Sequence, residues 1–140
     1  MVQAGSAPDS IRVLLADERP LFANAVRTML STHPRFELVG VAHQGERAIQ
    51  LAGELDPDIV LIDAALPDVD GLEVTRRICE ESAPRMVILT GADSDHDSVE
   101  AHQAGAGAYL PKVRSAADLL DTLEFTALLL DAADALPQKP

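Results

Sequence analysis

Five short apolar runs, each followed by a segment with helical spacing, constrain this chain more than any other feature. The runs "IRVLLA" (11–16), "FELVGVA" (36–42), "DIVLID" (58–63), "RMVILT" (85–90) and "GAYLP" (107–111) are too short for helices and rich in β-branched residues, so they read as strands. Between and after them, residues 21–31, 45–55, 72–81, 95–104 and 115 onward carry helical spacing, with Ala48, Ile49, Ala52 and Leu55 marking one apolar stripe. A strand that alternates with a helix is the signature of parallel βαβ units. The first, third and fourth runs are apolar almost throughout, as expected of strands covered by helices on both faces. The chain therefore reads as α/β.

Local punctuation supports these boundaries. Pro20 suits a first helical turn, Gly105 can close a helix, and Ser115 followed by Asp118 resembles an N-terminal cap. With 140 residues and 47% apolar composition there is material for one core and no second domain. The expected organisation is a loose tail over 1–10, a folded unit over 11–130, and a helix end with a tail or the start of a linker over 131–140.

Charge and cysteine content then remove several classes of function. A formal charge of −12 excludes unaided binding to nucleic acid or an anionic membrane, because phosphate binding needs a basic face. A single cysteine, Cys79, permits no internal disulfide and reads as a small residue on the inner side of a helix. The start "MVQAGSAPDS" lacks the basic and apolar regions of a signal peptide, and no apolar stretch of about 18 residues occurs, so a cytoplasmic protein with no membrane partner is expected. His33, His43, His96 and His102 show only the weak "HDSVEAH" spacing and read as solvated.

In an open parallel sheet, ligands bind beyond the carboxyl ends of the strands. Under the strand assignment above, that rim collects Asp17 and Glu18, Asp63, Thr90, and Pro111 with Lys112. Taken singly, each has a mundane reading: a strand-end acid is commonly a cap or a solvated loop residue, and a lone Thr or Lys means little. Their coincidence on one edge carries the weight. Neighbouring carboxylates repel and lose hydration, which favours a hard divalent cation such as Mg²⁺, or Mn²⁺ in its place. With such a cation, Asp63 can act as nucleophile toward a phosphoryl group, while Lys112 and Thr90 offer a charge and a hydrogen bond to its oxygens.

The motifs "LLADERPLF" (14–22), "PDIVLIDAALPDVDG" (57–71), "VILTG" (87–91) and "AGAGAYLPK" (104–112) together resemble the response-regulator receiver domains of bacterial two-component signalling, over about residues 11–130. The opening "ADERPLF" and the closing "GAGAYLPK" are most similar to the NarL/FixJ subfamily, whose members usually carry a LuxR-type C-terminal helix-turn-helix. The resemblance implies a doubly wound, flavodoxin-like (βα)₅ fold with a five-stranded parallel sheet in the order 2-1-3-4-5. It implies that Asp63 is the phospho-acceptor, that Asp17, Glu18, Asp63 and the Ala65 carbonyl hold Mg²⁺, and that Thr90 and Lys112 assist. Thr90 and Tyr109 would form the switch, and Pro67, Asp70 and Gly71 match the loop after the phosphorylated strand. A histidine kinase is the implied partner and transcription the implied output, through a DNA-binding domain that this chain would not itself contain. Such a domain is not an enzyme beyond its own phosphorylation and dephosphorylation.

There are departures from the family pattern. Glu18 stands where a second Asp is usual, and Ala65 and Ala92 fill positions where larger or polar residues often tune acyl-phosphate lifetime. Val113, not Pro, follows Lys112. Glu18 leaves open a pseudo-receiver that serves as an unphosphorylated interaction module. A phosphatase with an aspartyl nucleophile would resemble D-x-D at the first strand end, which "ADERP" does not provide, and no Gly-rich phosphate loop follows any strand.

The last helical segment is apolar on more than one face. Leu119, Leu123, Ala127 and Leu130 form one stripe, while Phe125, Leu129, Ala132 and Leu136 form a second, turned by about a third to a half of a turn. The first suffices to cover the sheet. The second reads either as a surface for a homodimer or output domain, or as packing against the neighbouring helix or the chain's own tail.

Overall fold

The computed structural model describes residues 10–91, 95–111 and 116–135, without side-chain detail for 95–98, 111, 116 and 117. Five strands and five helices alternate: β1 (Ile11–Ala16), α1 (Pro20–Ser31), β2 (Phe36–Ala42), α2 (Gly45–Leu55), β3 (Ile59–Asp63), α3 (Gly71–Glu81), β4 (Met86–Gly91), α4 (Asp95–Ala104), β5 (Ala108–Pro111) and α5 (Ala116–Ala135). All strand pairs are parallel and the sheet order is β2-β1-β3-β4-β5. The expected fold is thus the observed one, with element ends displaced by a residue at most.

Side-chain alternation sorts the core into two layers, one on each face of the sheet. Leu14, Ala16, Val60, Ile62, Val87 and Leu89 pack under α2, α3 and α4, whereas Val13, Leu15, Ile59, Leu61 and Ile88 pack under α1 and α5. Nearly all are fully buried aliphatics, each stabilising the fold by about 1.5–3 kcal/mol relative to exposure. Leu119, Leu123, Ala127 and Leu130 of α5 are buried, as their stripe predicts.

The edge strand β2 departs from simple alternation. Its register against β1 slips between Val13 and Leu14, which pair with Leu38 and Gly40, so Val39 is an extra residue. Before the slip, Phe36 and Leu38 belong to the α1/α5 layer; after it, Ala42 belongs to the opposite layer. Gly40 lies so close under α2 that an added Cβ would sit 2.8 Å from a Leu55 methyl group.

Helix ends follow their sequence signals. Pro20 occupies the start of α1, Asp70 caps α3 by accepting from the Leu72 N–H at 2.8 Å, and Gly105 closes α4 with φ +112°. Ser115 lies outside the described residues. The C-terminal end of α2 is held from below by Arg12, whose Nη1 donates to the carbonyl of Leu55 at 2.6 Å. Two further arginines at the same sheet edge, Arg35 and Arg85, pair with Asp131 and Asp134 in the last turns of α5, each at 2.6 Å. Among the described residues, no helix is long and apolar enough to cross a membrane.

Candidate functional site

The carboxyl ends of β1 and β3 bring the predicted acids Asp17 and Asp63 to one edge, and that of β4 adds Thr90. Asp17 extends the β1 ladder by donating its N–H to the Ala42 carbonyl at 2.9 Å, and only 2% of the residue is exposed. Its own carbonyl accepts from His43 Nδ1 at 2.8 Å, which assigns the proton to that nitrogen. Glu18, next in the chain, is exposed.

Asp63 is half-buried at the end of β3, and its Oδ1 accepts from the Ala65 N–H at 2.9 Å, a turn that aims the side chain along the sheet edge. The following peptide is tied to β4, because the Ala64 N–H donates to the Thr90 carbonyl at 2.7 Å. Asp63 and Thr90 are direct register partners, so their side chains share a face, and both line one narrow cleft with Asp17, Arg19, Phe22 and Leu119. Tyr109 pairs with Leu89 instead, and its half-buried ring packs in the layer beneath α3 and α4. Thr90 and Tyr109 are therefore diagonal neighbours whose side chains leave opposite faces of the sheet. Ala65 is exposed, while Lys112 and Ala92 lie outside the described residues.

Arg19 is the site residue that sequence reasoning missed. Its guanidinium grips the Asp17 carboxylate with two parallel bonds, Nε to Oδ1 at 2.9 Å and Nη2 to Oδ2 at 2.7 Å, and its backbone N–H adds a third at 2.8 Å. The guanidinium carbon lies 4.2 Å from the centroid of the Phe22 ring. The hydrogen bond to Asp17 is the main cause that raises the Arg19 pKa, followed, against a smaller opposing effect of burial, by the fields of Asp17, Asp63 and Glu18. A protein cation thus stands within the field of all three acids. The signal was present as Asp-x-Arg at a strand end.

The loop after β3 is braced independently. Asp68 accepts from the first two N–H groups of α2, Gly45 at 2.6 Å and Glu46 at 3.1 Å, and these bonds hold its carboxyl below the usual carboxylate range. Gly71 seats α3 against the strand end: its N–H donates to the Ala64 carbonyl at 3.1 Å, and a Cβ there would fall 2.5 Å from Ala64 Cα and 2.8 Å from the Asp63 carbonyl oxygen. Only glycine fits that approach.

As a donor set, Asp17, Glu18, Asp63 and the Ala65 carbonyl suit a hard divalent ion in kind. Among the described residues, no three acids, histidines or cysteines converge as a group that could hold an ion. Cys79 is half-buried near Gly105, and burial pushes its thiol pKa up, which leaves it a poor nucleophile.

On α5, Phe125 and Leu129 of the second stripe are 62% and 47% exposed, Ala132 is exposed, and Leu136 lies outside the described residues. Leu128, absent from that stripe as read from the sequence, is also exposed, at 66%.

Comparison with known proteins gives a consistent result. The family model described as response regulator receiver domain matches residues 13–124. The transcriptional regulatory protein LiaR of Bacillus subtilis is 36% identical over 114 residues, which cover 81% of this chain and 54% of LiaR. The nitrate/nitrite response regulator protein NarL of Escherichia coli is 36% identical over 116 residues, 82% of this chain and 54% of NarL. The chain thus spans about half the length of these relatives. Among solved structures, the signal receiver domain of the putative response regulator NarL from Mycobacterium tuberculosis superposes with a TM-score of 0.75 at 28% identity, covering 92% of this chain and all of that one. The response regulator domain of Thermotoga maritima CheB gives 0.74 at 23% identity over 91% of this chain and 99% of that one, a likeness of fold.

Proposed function

The chain belongs to the response regulator receiver domains, and from that premise we propose that it works as a phosphorylation-dependent switch with Asp63 as its phospho-acceptor. The observation that carries this reading is the convergence of half-buried Asp63, buried Asp17 and Thr90 on one cleft at the carboxyl edge of the sheet.

A histidine kinase, or a small phosphodonor, supplies the phosphoryl group. A carboxylate oxygen of Asp63 attacks phosphorus, the P–N bond to the kinase histidine breaks, the imidazole leaves with its electron pair and takes up a proton, and an acyl phosphate remains on Asp63. Asp17, Glu18, Asp63 and the Ala65 carbonyl would hold Mg²⁺ or Mn²⁺, which when bound offsets the repulsion between carboxylates and phosphoryl oxygens. Thr90 donates a hydrogen bond to one phosphoryl oxygen, and Lys112 offers its charge to another. Movement of Thr90 toward the phosphoryl group draws the end of β4 with it, and Tyr109, on the other face of the adjacent strand, responds through the β4–β5 pairing, reshaping the surface of α4, β5 and α5. The output is control of transcription through a DNA-binding helix-turn-helix outside this chain, with the exposed apolar residues of α5, Phe125, Leu129 and Ala132, available to a homodimer. The setting is cytoplasmic.

A second reading, an unphosphorylated adaptor, is favoured by Glu18 in the acid pair. Incubation with acetyl phosphate and Mg²⁺, followed by intact mass measurement, separates the two. The switch reading expects a gain of one phosphoryl mass that Asp63→Ala abolishes; no gain, or a gain that survives Asp63→Ala, would refute it.

A further inference from the structure

We propose that Arg19 is a tethered counter-cation for the acidic edge, and that a divalent ion reaches Asp17 only by displacing it. The inference rests on the reading of Asp17 as a metal ligand.

The geometry is that of a filled site. Three N–H donors occupy the Asp17 carboxylate, two on Oδ1 and one on Oδ2, in the fork arrangement that guanidinium and carboxylate make best. The cleft that Asp17, Arg19, Asp63 and Thr90 line has room for little more than about one water. A hydrated divalent ion does not enter it while the arginine side chain stays. Nor can the two cations share one carboxylate closely, since their mutual repulsion grows in the low-dielectric edge of the sheet.

The structure also shows which partner moves. The Asp17 side chain is 3% exposed on a backbone fixed by the β1 ladder, whereas the Arg19 side chain is 39% exposed. Arg19 sits at the N-cap of α1 in extended backbone, φ −86° and ψ 106°, and Pro20 starts the helix immediately after it. The arginine can swing out to solvent with no change in strand or helix.

Two consequences follow for the site. The apparent metal affinity is reduced by the fraction of molecules in which the arginine is already off Asp17. When the metal leaves, Asp17 is not stranded as a buried unpaired charge, because Arg19 returns.

The full chain tests this with Mn²⁺, whose free concentration is read by electron paramagnetic resonance. Arg19→Gln should tighten the Mn²⁺ dissociation constant about tenfold, as when the competent fraction rises from roughly a tenth to nearly all molecules. Arg27→Gln, which removes the same charge from an exposed position on α1, should leave it nearly unchanged at physiological salt. A second readout is the Arg19 Nε–H resonance in ¹⁵N spectra of the wild-type protein, protected from exchange by Asp17 and losing that protection on Mg²⁺ addition. Equal Mn²⁺ affinity in wild type and Arg19→Gln, equal tightening by Arg27→Gln, or a resonance that stays protected with metal bound would each overturn the proposal. Binding by Arg19→Gln alone upholds it while removing metal-assisted phosphorylation of the wild type, and binding by neither protein overturns both. Labelling by acetyl phosphate with equal affinities overturns the proposal and leaves the switch reading standing.

Discussion

Replacing Gly71 and Gly53 by alanine makes the same chemical change at two helix positions and should have opposite effects. At Gly53, an exposed interior position of α2, a Cβ would meet nothing nearer than the Ser82 hydroxyl at 4.0 Å. Alanine there gains helix propensity and reduces the freedom of the unfolded chain, a stabilisation of about 0.5–1 kcal/mol. At Gly71 the same methyl group meets backbone, Ala64 Cα at 2.5 Å and the Asp63 carbonyl oxygen at 2.8 Å, which cannot rotate away. The start of α3 must lift off the strand end, at an overpacking cost of about 1–3 kcal/mol, larger than any propensity gain at a first-turn position. For a chain of this size, each kcal/mol moves the unfolding temperature by about 4 °C. Thermal and urea unfolding of the two variants, measured in parallel, should therefore move in opposite directions. If Gly71→Ala unfolds at or above the wild-type midpoint, the tight seating of α3 on the Asp63 peptide is wrong. Gly71→Ala should also slow acetyl phosphate labelling of Asp63, by about ten- to a hundredfold, because the displaced peptide holds that carboxylate. Gly53→Ala should leave labelling unchanged.

Two other perturbations probe the supports of the site and of α5. The bonds from Gly45 and Glu46 lower the folded pKa of Asp68 below its unfolded value, so its contribution is present above the ordinary carboxylate range and lost as pH falls through that lowered value. Asp68→Asn should flatten this part of the acid stability profile, read from urea midpoints between about pH 6 and pH 3; an unaltered slope would show that the cap carries no such linkage. The exposed pairs Arg35–Asp131 and Arg85–Asp134 are each worth about 0.2–1 kcal/mol. A double Arg35→Ala, Arg85→Ala variant should exchange the amides of residues 129–135 faster with little change in the global midpoint, and faster exchange throughout α5 would contradict a purely local role.

Much of the architecture was readable from apolar runs because both faces of this sheet are covered, so β1, β3 and β4 leave nothing ambiguous in the chain. That Asp17, Asp63 and Thr90 share one edge is legible in the sequence, because strand ends point to the ligand-binding edge whatever the loops do. Arg19 was not found, since a side chain that folds back two residues looks in sequence like any surface arginine. Asp68 escaped for a different reason: it caps a helix that begins 23 residues earlier, a relation that only the assembled fold creates. Thr90 and Tyr109 were paired as one switch, yet their separation onto opposite faces follows from the β4–β5 register, which no local pattern encodes.

The extra residue in β2 bears on which length changes the chain can tolerate. "FELVGVA" is two strand segments in different phase, joined at Val39, and the change of parity lets one edge strand serve one layer with Phe36 and the other with Ala42. Loss of Val39 would join Leu38 to Gly40 in a regular strand with every partner on β1 kept, so the residues beyond it would hold their sides; loss of Val41 would instead put Ala42 opposite Leu15 and turn it to the wrong layer. Length variation is harmless in most edge strands, which fray into solvent. Here a length change after the bulge would rewrite the floor on which α2 rests, and with it the helix start that Asp68 holds beside the acidic edge, whereas one at Val39 would not.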